Sequence, residues 1–539
     1  MPATEPTRNA AGIRPDLSNV VCALRIPPPQ FCFTMPTHSF DILILGTGFG
    51  GSLMAAILAR AGRSVVMIDK HRHPRFAIGE SSTPLADRTL AQIADRYRLP
   101  ELSPLCRWGS WKRTYPELLC GKKRGFTYFD QTTDSDLQPD NFDTRRLLVT
   151  ASSTDEHSDT HWLRSDVDQF LCRLAESSGA TSFEQCRYTL SQCDDRWKIE
   201  GDSGGQPVQA DASFLIDATG SPNAVLKHLH IADQTHQLKT NARSIFAHFA
   251  SAPTCERLLR ERSIDVAPFP YLCDDAAVHQ VLPDGWMWQL RFDDDSLSAG
   301  FMIDQRPGAC EISPTFSSPT QEWAWRIART PFLQRQFDKA RIVRPDTGLL
   351  STGRIQRLSA QGAGSNWAAL TNTVGFIDPL HSTGIAHTLF SVSRLADILL
   401  SDDGSSQREQ RLREHSDSLI SEIRCVDEVV EGCYAAIPSF RLWSHWCMVY
   451  FAAVTSMEQK PEKSFRNISF LRANDRAFRS MLTEARHRLG QAHAVDKTSS
   501  AAEVDFCSWL RSAIEPWNHC GLFDDRCHNL YSATAAPCE

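Results

Sequence analysis

The segment from Phe40 to Asp69, FDILILGTGFGGSLMAAILARAGRSVVMID, constrains the chain more than any other. An apolar run from Ile42 to Leu45 leads into G-x-G-x-x-G at Gly46, Gly48 and Gly51, with Gly50 beside the last. Leu53, Ala56, Ile57 and Ala61 then recur at helical spacing, and Gly62 stops the helix. A second apolar run, Ser64 to Ile68, ends on Asp69. In such a unit Gly46 allows the tight turn, Gly48 lets backbone approach a pyrophosphate, and Gly51 lets helix and strand pack closely. The free N–H groups of the helix start attract phosphate, and a carboxylate at Asp69 can accept from ribose hydroxyls. Strand, glycine loop, helix, strand and acid in this order predict a βαβ dinucleotide fold.

The rest of the chain sets limits. Its 539 residues exceed a single core of about 250–300 residues, so several lobes are expected. A formal net charge of -7 gives no broad basic field, so no nucleic-acid partner is expected. The 17 Cys include no C-x-x-C pair, and the neighbours His519 and Cys520 have no second pair at zinc spacing. No metal is expected, and the thiols read as reduced and the protein as cytoplasmic. Residues 1–34 carry Pro27, Pro28 and Pro29, no long apolar stretch and no period, so they read as a disordered tail with Met35 as an alternative start. The run 442–454, LWSHWCMVYFAAV, is shorter than the ~20 apolar residues of a membrane span and reads as a buried or partner-facing helix.

Three later segments fill in the reading: HWLRSDVDQFL at 161–171, SFLIDATG at 213–220 and WAALTNTVGFIDPLHSTGIAHTL at 367–389. In the last, a strand from Trp367 to Leu370 precedes a turn at Asp378-Pro379. Ile385, Leu389, Val392, Leu395 and Leu399 then mark an amphipathic helix that starts near Ser382. Its first N–H groups form an anion site.

This order resembles the flavin monooxygenase superfamily of the para-hydroxybenzoate hydroxylase fold, and within it the flavin-dependent halogenases, the tryptophan halogenases included. HPRFAIGESSTPLADRTL at 73–90 is similar to the halogenase block G-E-[AS]-x-x-P. Arg164 and Asp168 match its R-x-x-x-D, and Gly375-Phe-Ile-Asp378-Pro-Leu-His-Ser-Thr-Gly matches G-F-[IL]-[DE]-P-L-x-S-T-G. The resemblance runs discontinuously over about residues 38–400. The chain departs from the family pattern in four places. Thr371-Asn372 replaces Gly-Asp, and Trp286-Met-Trp288-Gln-Leu-Arg291 lacks the Ile-Pro of W-x-W-x-I-P. His381 stands where tryptophan halogenases carry a catalytic Glu. The nearest lysine some thirty residues after Gly-Glu is Lys112.

The resemblance implies an α/β fold. It has a Rossmann-like βαβ FAD domain of the hydroxylase type, an inserted substrate-side β-sheet and a C-terminal helical region. Residues 35–400 are expected to form the FAD-binding monooxygenase domain, with the sheet at about 226–340 and a cap at 99–144, and residues 401–539 the helical region. It implies FAD bound through Gly46, Gly48, Gly50, Gly51, Asp69, Arg164, Asn372, Gly375 and Asp378. Catalytic candidates are Lys112, His381, Thr383 and Gly384. The activity implied is monooxygenase chemistry through a flavin C4a-hydroperoxide, on an aromatic or other electron-rich small molecule. A halogenase would take halide as co-substrate and receive reduced flavin from a separate flavin reductase. An aromatic hydroxylase would use NAD(P)H directly, and a flavin-binding protein without halogenase activity is the third reading. The N–H groups at Thr383 and Gly384 suit either a halide or the pyrimidine edge of the flavin.

Overall fold

The strand His38–Leu45 lies between two parallel neighbours, Val65–Ile68 and Gln206–Asp217, with Ile42 opposite Val65 on one side and Phe214 on the other. The computed structural model describes residues 38–133, 136–309, 314–459, 469–494, 500–532 and 534. The expectation for residues 1–34 lies outside them. Thr181–Phe183 extends the sheet beyond Val65–Ile68, and Trp367–Ala369 pairs in parallel with the end of Gln206–Asp217. The hairpin Cys186–Cys193 and Arg196–Ser203 adds antiparallel strands on the other half of Gln206–Asp217. Val65–Ile68 is buried at every position, as a parallel strand covered on both faces must be. The helix Phe49–Arg60 packs on this strand, and Arg164–Ser177 and Thr383–Leu399 pack on that helix.

The second sheet has nine strands. Its path runs Arg341–Arg344, Ala242–Ala250, Leu297–Asp304, Gly285–Arg291, Ala277–Leu282, Gly125–Asp130, Arg146–Thr150 and Leu530–Tyr531, and the ninth strand, Leu350–Ser351, also pairs with Ala242–Ala250. Strand alternation divides its side chains between two cores. Trp286, Trp288 and Leu290 join the large core shared with the first sheet, while Met287 faces a second core. That second core is closed by the helices Cys255–Glu261, Pro319–Ala328 and Pro331–Phe337, through Leu258, Leu259, Trp323, Phe332 and Leu333.

The sheet corrects the expected boundaries. It is not confined to 226–340, because Gly125–Asp130 pairs with Ala277–Leu282 and Arg146–Thr150 follows it. The segment 99–144 is therefore no simple cap. It combines the helix Trp108–Thr114 with the strands Cys120–Lys123 and Gly125–Asp130. Leu530–Tyr531, near the C-terminus, completes the sheet edge. Residues from His38 onward form one compact unit, so 400/401 marks only a change to helical structure.

The helices Ser405–Ala436, Phe440–Glu458, Arg476–Ala494 and Ser500–Ala513 pack on this unit. Nearly every residue of Phe440–Glu458 is buried, as a helix apolar all round requires. No helix among the described residues is long and apolar enough to cross a membrane.

Candidate active site

A cavity of about 610 Å³ separates the βαβ unit from the nine-stranded sheet. Phe49 and Arg164 wall it on one side, and Ser244, His279, Trp288, Leu290 and Met302 on the other. The loop Ala77–Ser81, the turn Thr219-Gly220, the segment 352–357, Asn372, Ser382 and Gly384 close it.

At the nucleotide end, Gly46 has φ +98°, and a Cβ there would meet the Ala218 carbonyl at 2.6 Å. A Cβ at Gly51 would lie 2.1 Å from the Gly46 oxygen, so helix and strand meet as closely as the motif predicts. Gly48 caps the helix Phe49–Arg60, whose first N–H groups have no intrahelical partner. A Cβ on Gly48 would come within 4 Å of the Arg75, Arg164 and Asp168 side chains. Gly50 packs against Thr388 and Leu370 of the inner layer. Arg164 is fixed by a two-point contact to Asp168 (2.8 and 2.9 Å) and donates to the Ile78 and Gly79 carbonyls. Asp69 is buried at the end of its strand and accepts from the Thr47 N–H and hydroxyl, at 2.8 and 2.9 Å, and from the His71 N–H. Burial would raise its pKa, but these bonds and Arg75 hold it below the usual value.

The middle of the cavity holds a residue the sequence did not single out. The Arg357 guanidinium donates to the Asn372 and Gly220 carbonyls and has no carboxylate partner among the described residues. Burial pulls its pKa down to about 10. A half-buried cation without a counter-charge, facing a cavity with a free helix N-terminus, suits an anionic cofactor. The cavity therefore fits FAD, with Arg164, Arg357 and Asn372 on its wall. Gly375 pairs with Leu358 outside the lining, where a Cβ would meet the Arg357 carbonyl at 2.8 Å.

The far end corrects several expectations. Ser382, with φ +53°, caps the helix Thr383–Leu399. Its left-handed turn presents Ser382 and Gly384 to the cavity, where a Cβ on Gly384 would meet nothing within 4 Å. Thr383 is buried and does not line the cavity. His381 points the other way. Its ring stacks on Tyr450 at 4.3 Å and its Nε2 lies 3.4 Å from the Cys433 thiol. Burial pushes the His381 pKa well down, so the ring is neutral and is not an acid–base group of the cavity. The ligand atoms of His381, Cys433 and Cys447 lie within 4.8 Å of one another, a grouping no sequence spacing announces. Asp378 is likewise sealed off, accepting from the Leu380 N–H and, at 2.8 Å, from the Tyr434 hydroxyl. Burial raises its pKa to about 7, with Tyr434 opposing. Neither Asp378 nor His381 lines the cavity.

Lys112 is also displaced from its expected place. Its ammonium pairs with Asp293 at 2.9 Å, part-exposed and away from the cavity lining. A lysine that the sequence reading did not single out, Lys123, is fully buried. The strand Cys120–Lys123 pairs with Asp159–Trp162, and this places the Lys123 ammonium over the Phe126 ring at 4.0 Å and in a hydrogen bond to the Ser82 carbonyl. Ser81 lines the large cavity. Thr83 and Phe126 line a second, small cavity of about 20 Å³, with Tyr450, Phe451 and Glu458. The two tryptophans of the Trp286–Trp288 pair share a face as alternation predicts. Trp288 lines the large cavity, while Trp286 donates to the Tyr434 hydroxyl at 3.2 Å.

Fold and cavity together define an FAD-dependent oxidoreductase. Residues 160–436 match the family model described as tryptophan halogenase, and residues 44–87 match an NAD(P)-binding Rossmann-like domain. The chain belongs to the tryptophan halogenase family. It is 26% identical to the tetracycline 7-halogenase of Kitasatospora aureofaciens, over 77% of this chain and 73% of that protein. It is 28% identical to the monodechloroaminopyrrolnitrin halogenase PrnC of Pseudomonas fluorescens, over 76% and 70%. The solved halogenase PltM in complex with phloroglucinol and FAD superposes with a TM-score of 0.76 at 23% identity, over 89% of this chain and 96% of that one.

Proposed function

We propose that the protein halogenates an aromatic small molecule, with Lys123 as the lysine that handles the oxidised halogen. The observation that carries this reading is the burial of Lys123 behind the loop Gly79–Thr83, where its ammonium donates to the Ser82 carbonyl next to Ser81 of the large cavity. Bound FAD, once reduced, supplies activated oxygen. The chain's own residues do the rest. The N–H groups at Thr383 and Gly384 hold the halide at the helix start, beside a glycine that leaves room for it. Apolar walls at Trp288, Leu290 and Met302 keep water out. Hypohalous acid formed there reaches Lys123, whose N–H groups hold it toward the Phe126, Tyr450 and Phe451 side. An aromatic substrate agrees with those in the names of the two halogenase relatives. A separate flavin reductase delivers the reduced flavin.

The test is product analysis. Purified protein with FAD, a flavin reductase, NADH and bromide or chloride is offered indoles, phenols and pyrroles, and products are read by mass spectrometry. Halogenated products that require both halide and reductase are expected. Hydroxylated products formed from NAD(P)H without halide would replace this reading with the hydroxylase one.

A further inference from the structure

Lys123 is not the only ionisable group sealed behind the Gly79–Thr83 loop. Asp87, on the helix Pro84–Arg96, and Asp159, opposite Lys123 across the strand pair, are both buried. The Ser82 hydroxyl donates to Asp87 Oδ1, and the same residue's carbonyl accepts from Lys123. The two carboxyl groups lie near enough for their charges to act on each other and on Lys123. The Oδ2 atom of each is buried, and no other group donates to it. Two buried carboxylates beside a single ammonium would leave a net buried charge, so the pair keeps one proton. The cluster thus balances as one ammonium, one carboxylate and one shared proton, and is neutral.

We propose that Asp87 and Asp159 form a proton-sharing pair that sets the charge on Lys123, acting as positioning residues for halogen transfer. The role in halogen transfer rests on the halogenase reading; the pair's effect on Lys123 does not. Burial pushes both carboxyls up and pulls Lys123 down. The other titratable groups facing the cluster are His161 on the Asp159 strand, His279 on Ala277–Leu282 and Tyr450 on Phe440–Glu458. Burial drives both histidines down to about 3 and the Tyr450 phenol up, so none of them carries charge near neutral pH. The pair is then the only counter-charge for Lys123 among the described residues around it. As an ammonium, Lys123 holds hypohalous acid through N–H donors. As a free amine it has a lone pair that attacks the halogen, forming an N–halogen bond as hydroxide leaves and takes up the amine proton to become water.

An amide is a stand-in for a protonated carboxyl. Asp87→Asn or Asp159→Asn alone leaves one carboxylate beside Lys123. The double variant leaves none. FAD-loaded enzyme carrying ε-13C-lysine is titrated by NMR, and halogenation by the same proteins is followed from pH 5.5 to 9.5. Each single variant should titrate Lys123 within about half a pH unit of the parent, whereas the double variant should titrate at least about one unit lower. The alkaline limb of halogenation should move with it, and the effect should far exceed the sum of the singles. FAD absorbance retained in the double variant shows that the fold stands. A double variant that holds FAD yet titrates Lys123 as the parent does, or in which the two substitutions simply add, overturns the pair. Should the parent yield no halogenated product, the halogenase reading fails, while the NMR titration still decides the pair.

Discussion

Replacing Glu422 by Gln tests how the C-terminal helices are tied to the cavity. Glu422, on Ser405–Ala436, is fully buried. Its carboxylate accepts both Arg394 Nη groups at 2.9 Å, the Ser469 hydroxyl at 2.8 Å and the Phe470 N–H at 3.0 Å, and His387 Nε2 lies 3.0 Å away. Arg394 and His387 belong to the helix that begins at Ser382. Burial alone would raise this carboxyl; Arg394 and the hydrogen bonds overcome it and hold the pKa far below the usual range. Removing one partner of a buried ion pair costs about 3–5 kcal/mol. At ~2.1 cal/mol/K per residue, roughly 500 residues unfolding together carry about 1 kcal/mol/K, so the variant should melt about 3–5 °C lower at pH 7. A depressed carboxyl contributes its stability above its unfolded pKa of about 4.3 and loses it as pH falls toward the folded value. Parent and variant should therefore converge in acid. Differential scanning calorimetry from pH 8 down to about pH 2 measures this, with Glu484→Gln as control, because that carboxylate pairs with Arg488 on the surface. A Glu422→Gln melt equal to the control at pH 7 would refute the reasoning.

Three further outcomes follow from the site. Gly48→Val places side-chain atoms where Arg75, Arg164 and Asp168 converge, and should abolish the flavin absorbance of the purified protein. Gly384→Pro removes one N–H from the helix start, where the helix tolerates proline, and should retain FAD while flattening the bromide dependence of turnover; Thr383→Val should weaken it only modestly. Lys112→Ala removes a part-exposed pair worth less than about 1 kcal/mol, and should leave product yield within twofold of the parent in the coupled assay.

The βαβ unit was legible because its signals are local. Glycines, apolar run and acid all lie within one short stretch, and the structure spans it with His38–Leu45, Phe49–Arg60 and Val65–Ile68. The helix from Thr383 was legible for the same reason. What local spacing could not show was which face a flanking residue takes. The left-handed Ser382 sends His381 toward Tyr450 and Cys433, away from the cavity. Lys123 drew no notice in the sequence because its burial depends on pairing with Asp159–Trp162, more than thirty residues on, and on Phe126 beneath it. The second sheet was misbounded because it recruits Gly125–Asp130, Arg146–Thr150 and Leu530–Tyr531, strands separated in sequence from its main run. Arg357 carries no motif at all; only its half-buried, uncompensated charge on the cavity wall marks it.

The central claim is that oxidant is made at the large cavity and delivered through Lys123. Lys123→Met keeps the length and apolar stem of the side chain and removes its donors. Flavin reoxidation and halogenated product are measured together in the reductase-coupled assay with bromide, for parent and variant at equal FAD content. The account predicts that Lys123→Met reoxidises flavin at the parent rate while product falls at least about a hundredfold, a loss of roughly 2.7 kcal/mol in transition-state stabilisation. Product yield unchanged in a variant that holds FAD would contradict it.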